Sequence, residues 1–193
     1  MAKRTEGLSF YRRKKKINSG HLKELFSWII SILIVIFAAC ALVMLYGMTS
    51  SVVGISMEPG LKSEQKILVD RFVYVLGKPK AGDVVLFLPN GNENAHYYTK
   101  RVVAVPGDTV LIENGRLYVN GELSTVVTQY IVEPGIAENE IELSTGQFFV
   151  LGDAPSDSED SRSSGLGPVD VEDIVGRVWF KLPCENGKMG FVK

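Results

Sequence analysis

Cysteine and histidine are scarce in this chain. Among 193 residues there are two Cys (Cys40, Cys184) and two His (His21, His96). Cys40 lies inside a long apolar run and Cys184 near the end of the chain. If the run spans a membrane, the two cannot meet within one chain, so no disulfide is expected. Each Cys then reads as a small packed apolar residue. Metal ligation by sulfur has no partners, and two isolated His do not make a zinc site, so neither metal nor cofactor is expected. No G-x-S-x-G elbow, H-E-x-x-H or phosphate-binding loop occurs. A Ser-His-Asp hydrolase would have to use His96, the only His after the apolar run, and it sits in a polar, loop-like stretch. It reads as a surface residue.

Charge is missing from one block altogether. Residues 25–48, LFSWIISILIVIFAACALVMLYGM, carry none. Residues 1–24 carry eight Lys and Arg against two Glu, and residues 49–193 carry thirteen basic against twenty acidic groups. The formal net charge of −1 hides this division. The only basic cluster abuts the apolar block and the acidic body repels phosphate, so nucleic acid is excluded as a partner. As a helix, the block reaches about 36 Å, enough to cross a hydrocarbon core of about 30 Å with some tilt. Trp28 and Tyr46 stand near its ends, where amphipathic rings favour the interface. A cleavable leader would have a shorter apolar run followed by small residues, and GMTSSVVG is a poor cleavage site. Basic residues before the block and none close after it put the N-terminus in the cytoplasm and the body outside. The expected order is a basic cytoplasmic head (1–24), a transmembrane anchor (25–48) and an extracytoplasmic domain (49–193), single-pass in the cell membrane and in contact with lipid.

The body is built of short β-type runs: SVVG, QKILVDRFVYVL, DVVLFLP, KRVVAVP, DTVLIENGRLYVNGEL, VVTQYIV, QFFVLGD and IVGRVWFKLP. Two Asn-Gly pairs bracket RLYV, a turn–strand–turn signal. No helical apolar stripe occurs outside the anchor. The fold class is mainly β, a compact all-β domain behind one N-terminal transmembrane helix. The polar stretches 91–95 and 154–165 read as loops.

Two residues suggest chemistry. Ser56 follows a short strand in VVGISMEPG, where its hydroxyl can be presented at a strand end. Lys100 opens an apolar run in YYTKRVVAVPGD. Desolvation there disfavours the ammonium and lets the amine accept a proton near neutral pH. A Ser–Lys nucleophilic pair needs both. On composition and spacing alone, an exposed serine and a snorkelling lysine are the better explanation of the two.

Three ordered blocks go further. Gly54-Ile55-Ser56-Met57-Glu58-Pro59-Gly60, then Lys100-Arg101-Val102-Val103-Ala104-Val105-Pro106-Gly107-Asp108, then Gly152-Asp153 through Asp160-Ser161-Arg162 resemble the bacterial type I signal peptidases of family S26. GPVDVEDIVGRV (167–178) resembles the segment that follows them in that family. The resemblance implies a catalytic set of Ser56 as nucleophile, Lys100 as general base and Ser158 as the hydroxyl that orients the lysine. The main-chain N–H of Ser56 would donate to the oxyanion. Val52, Gly54, Met57, Leu61, Ile67, Tyr98 and Thr99 would bind substrate, and Asp160 and Arg162 would form a supporting ion pair. Gly60, Ala104, Ala154-Pro155 and Asp157 depart from the family pattern. The expected partners are signal peptides of exported preproteins and the bilayer, with contact to the secretion translocon left open. About fifty residues separate Lys100 from Gly152, too few for the large insertion of Gram-negative members. A Gram-positive-like form fits.

The expected function is a membrane-bound serine endopeptidase that cleaves N-terminal signal peptides from exported preproteins. Only the seven residues 49–55 separate the anchor from Ser56, at most about 25 Å when extended. That tether favours substrates that are themselves membrane-bound. The rival is a catalytically weak or silent anchored β-domain that binds exported proteins or a membrane assembly, and the departures are its best support.

Overall fold

The computed structural model describes residues 19–154, 159–185 and 187–192. The chain divides into two compact units between Val43 and Met44. The first is dominated by helix α1 (Ser19–Tyr46). Its segment Lys23–Ala41 has a mean hydropathy of 2.3 and buries nothing against protein. A helix without charge from Leu25 onward that exposes Trp28, Phe37 and a run of Ile and Leu suits lipid as its solvent. Cys40 is exposed on this helix, correcting the expectation of a packed thiol. No protein layer covers it.

The second unit is antiparallel β. Its strands are β1 (Gly47–Ser51), β2 (Lys66–Asp70), β3 (Val84–Phe87), β4 (Tyr98–Ala104), β5 (Thr109–Glu113), β6 (Arg116–Val119), β7 (Glu122–Leu123), β8 (Ile141–Glu142), β9 (Gln147–Leu151), β10 (Val169–Asp170), β11 (Ile174–Lys181) and β12 (Gly190–Phe191). The larger sheet runs β1-β2-β11-β3-β4-β9-β10, with β12 added beside the end of β11. The smaller runs β7-β6-β5-β8. Its turns are those the two Asn-Gly pairs predict. Asn114 and Gly115, then Asn120 and Gly121, all take positive φ, as a tight hairpin matched to strand twist requires.

Three expectations from sequence need correction. The run QKILVDRFVYVL is not one strand. Asp70 Oδ1 accepts from the N–H groups of Phe72 (2.9 Å) and Val73 (3.2 Å), turning the chain into a short helix α2 (Val73–Leu76). SVVG gives the sheet only Ser51. VVTQYIV forms no strand. Val127 and Ile131 drop into the core while Tyr130 and Val132 stay exposed, so the segment is pinned at two points rather than paired.

Buried side chains gather in three clusters. One joins the smaller sheet to β4 and β9 through Val103, Val110, Leu117 and Phe149. A second packs Val52, Met57, Leu61 and Ile67 against Val84 and Leu86 of β3. The third lies on the other face of β3 and β4, around Val85, Phe87, Val102 and Phe148. Fully burying each such side chain contributes about 1.5–3 kcal/mol. Together they fix the strand ends that carry the site.

Candidate active site

The turn after Val52 carries Ser56. Val52 is tied at both ends, its N–H donating to Gln65 O (3.0 Å) and its carbonyl accepting from Glu64 N (2.8 Å). Met57 and Leu61 are buried just beyond, and Leu61 N donates to Met57 O at 2.8 Å. Two apolar anchors below a one-turn loop hold Ser56 in place between them. Lys100 comes from β4, where it pairs with Val85 of β3. Tyr98, Lys100 and Val102 alternate onto one face, and Arg101 goes to the other. Forty-four residues apart in sequence, Lys100 Nζ and Ser56 Oγ lie 2.8 Å apart, both buried.

The lysine is 4% exposed. Burial brings its pKa down from 10.5 to about 8. Asp160 and Glu159 pull it back up, and Arg162 adds to the lowering. Asp160 does not neutralise the lysine because Arg162 holds it. Arg162 Nε donates to Asp160 Oδ1 at 2.8 Å and Nη2 to Oδ2 at 3.0 Å. Asp160 also accepts from Gly152 N (3.2 Å), and Arg162 Nη1 donates to Glu133 O (2.9 Å). A hydroxyl 2.8 Å from an amine of depressed basicity can pass its proton to that amine, which makes the oxygen a nucleophile.

Ser56 and Lys100 open onto a groove of about 180 Å³. Of the residues expected to bind substrate, Gly54, Tyr98 and Thr99 line it. Val53, Ile55 and Glu159 also line it and were missed from sequence. Val53 and Ile55 could have been found from the alternation around Ser56, since both are exposed apolar residues beside a buried one. Val52, Met57, Leu61 and Ile67 are fully buried in the second core cluster, beneath the turn rather than in the groove wall. Ser158 lies outside the described residues, as do Pro155 and Asp157. His96 is exposed. No group of His, Cys, Asp and Glu that could hold a metal occurs among the described residues.

Gly54 and one departure from the family pattern, Gly60, have local explanations. Gly54 has φ +80°, a conformation in which a side chain would be strained. A Cβ on Gly60 would come within 2.9 Å of Asp153 Oδ2. That carboxylate is itself clamped, receiving Arg101 Nε and Nη2 at 2.7 Å each. This Arg101–Asp153 pair was not foreseen from sequence. Ala154 N donates to Ser56 O at 2.9 Å, so the residue after the clamped carboxylate also holds the Ser56 turn. Ala104 is fully buried at the end of β4.

The family model described as "Signal peptidase, peptidase S26" matches residues 25–182. The chain belongs to the signal peptidase family. Signal peptidase IB of Staphylococcus aureus (strain MRSA252) is 35% identical over 193 residues, covering 88% of this chain and 95% of that protein. Signal peptidase I of Bacillus licheniformis is 30% identical over 173 residues, covering 81% and 88%. Among solved structures, a signal peptidase I from Enterococcus faecalis V583 matches with 25% identity and a TM-score of 0.41, over 53% of this chain and 97% of that one. The family match takes in Ser56, Lys100, Asp160 and Arg162 along with the apolar helix.

Proposed function

We propose that this signal peptidase family member is a membrane-anchored serine endopeptidase that cleaves signal peptides from preproteins with a Ser56–Lys100 dyad. The 2.8 Å contact between a buried hydroxyl and a buried lysine of depressed basicity carries the reading. Neutral Lys100 accepts the proton of Ser56 Oγ as the oxygen bonds to the scissile carbonyl carbon. The Ser56 N–H donates to the oxygen that becomes negative. Lys100 then gives its proton to the departing amine as the C–N bond breaks. Lys100, neutral again, then takes a proton from water as the water oxygen bonds to the acyl carbon, and returns it to Ser56 Oγ as the ester C–O bond breaks. Ser158 is the hydroxyl assigned to orient Lys100, and Asp160 with Arg162 stiffens the loop behind it. Val52, Met57, Leu61 and Ile67 act by holding the Ser56 turn, and Gly54, Tyr98 and Thr99 by contact with substrate. The uncharged helix anchors the chain with the basic head in the cytoplasm and the β domain outside.

Purified full-length protein in detergent, given a preprotein with Ala at −3 and −1, is the test. Wild type cleaves it. Ser56→Ala and Lys100→Met each lose about 10⁴-fold or more in kcat. Cleavage by Ser56→Ala at the wild-type rate would overturn the reading. For the topology, a tag at the N-terminus of the protein in intact cells resists added protease while one at the C-terminus is removed.

A further inference from the structure

Among the described residues, Glu159 is the one charged groove residue outside the dyad, although its charge also raises the pKa of Lys100. It lines the groove beside Ser56, Tyr98 and Lys100. Tyr98 OH donates to its Oε2 at 2.8 Å. The phenol holds its proton more tightly than usual, chiefly because of this bond. Tyr98 thus works as a fixed neutral donor: it positions the carboxylate without cancelling its charge. No Lys or Arg pairs with Glu159 among the described residues. The other charges near the groove are committed elsewhere, Asp160 to Arg162 and Arg101 to Asp153. Lys100 Nζ lies 6.0 Å from the centre of the Tyr98 ring, whose hydroxyl end meets Glu159. When Lys100 is neutral and ready to act, the described wall of the groove carries one formal charge, and it is negative.

We propose that Glu159 is a specificity-determining residue, a carboxylate held in the groove wall by Tyr98 that favours substrates with a basic side chain beside it and disfavours acidic ones. The proposal rests on the peptidase reading above and adds a substrate class to it. Glu159 is exposed, so solvent screens it and the expected discrimination is modest, about fivefold between Lys and Glu in the substrate.

The experiment uses full-length wild type, Glu159→Gln and Glu159→Lys with one preprotein. Ala is kept at −3 and −1, and Lys, Gln or Glu is placed in turn at each other position flanking the scissile bond. At one or more positions wild type gives a Lys-to-Glu ratio in kcat/KM of about five. The ratio falls to near one in Glu159→Gln and inverts in Glu159→Lys. The wild-type preference also shrinks as salt is raised from about 0.05 to about 0.5 M. Because each ratio is taken within one preparation, a difference in folded fraction cancels. The same ratio in all three enzymes at every position overturns the role of Glu159 while leaving the peptidase reading intact. Wild type inert on the Gln reference preprotein overturns both.

Discussion

Lys100 and Arg101 are neighbours on β4, yet they meet opposite electrostatic fates. Lys100 faces the cluster of Val85 and Val102 and finds a neutral hydroxyl at 2.8 Å. Arg101 faces the other way and finds the two oxygens of Asp153 at 2.7 Å. Burial lowers the basicity of the lysine and leaves it poised to lose its proton. Bidentate pairing leaves the arginine a permanent cation, spent on fixing the loop that accepts the Ser56 turn. One strand therefore supplies the proposed base and a structural clamp from consecutive residues, because pleating sends them to different faces.

The strongest way to break the contrast is to free the carboxylate that Arg162 restrains. Arg162→Met leaves Asp160 fully buried without its partner. Urea unfolding should show a loss of about 3–5 kcal/mol. In the protein that stays folded, Asp160 can favour protonated Lys100, so the acidic limb of the rate profile moves to higher pH. An unchanged midpoint of unfolding would remove Asp160–Arg162 from the support of the site.

Next in size is a gain in stability. The folded state holds Lys100 at a pKa of about 8 against an ordinary 10.5, so folding carries a penalty wherever the unfolded lysine is charged. Below pH 8 that penalty is full. Between 8 and 10.5 the unfolded chain binds more protons than the folded one, and stability rises with pH. Lys100→Met should therefore be inactive and more stable at pH 7 by about 2–3 kcal/mol, the difference narrowing as pH climbs to 10.5. A less stable Lys100→Met at pH 7 would contradict the desolvated lysine.

The catalytic face of the same shift comes third. With chemistry rate-limiting, kcat should fall about tenfold for each pH unit below about 8, as neutral Lys100 is titrated away. A flat profile from pH 9 to 5 would remove Lys100 as the base. Smallest is the effect on the clamp. Arg101→Lys keeps the charge but loses the fork, and should cost about 1 kcal/mol of stability with the pH limb unmoved.

The residues that carry the fold were legible to different depths. The apolar helix announced itself by the absence of charge, a property of composition that needs no partner. The β5–β6–β7 turns were legible because Asn-Gly sets positive φ locally. The run VVTQYIV misled, since β-branched residues fit a strand only where a neighbouring strand is free to pair. The pairing of Ser56 with Lys100 spans forty-four residues, and no local pattern encodes it. The ordered blocks pointed to it through resemblance. The Arg101–Asp153 clamp and the Tyr98–Glu159 bond were invisible for the same reason, as each joins β4 to the loop after β9. Val52, Met57, Leu61 and Ile67 suit an apolar pocket and an apolar core equally by type, and the fold places them in its core.

The loop after β9 has a last consequence. By hydropathy it is the part of the domain most easily dismissed as solvent-facing linker. Yet Asp160 and Ser161 are 0% exposed, and Ser161 Oγ accepts from Val150 N at 3.0 Å. A deep mutational scan should find these polar positions as intolerant as the valines beside them. The nearby exposed Ser164 should accept nearly anything. Tolerance to replacement, and not polarity, would then mark where the hydrophilic loop stops being surface.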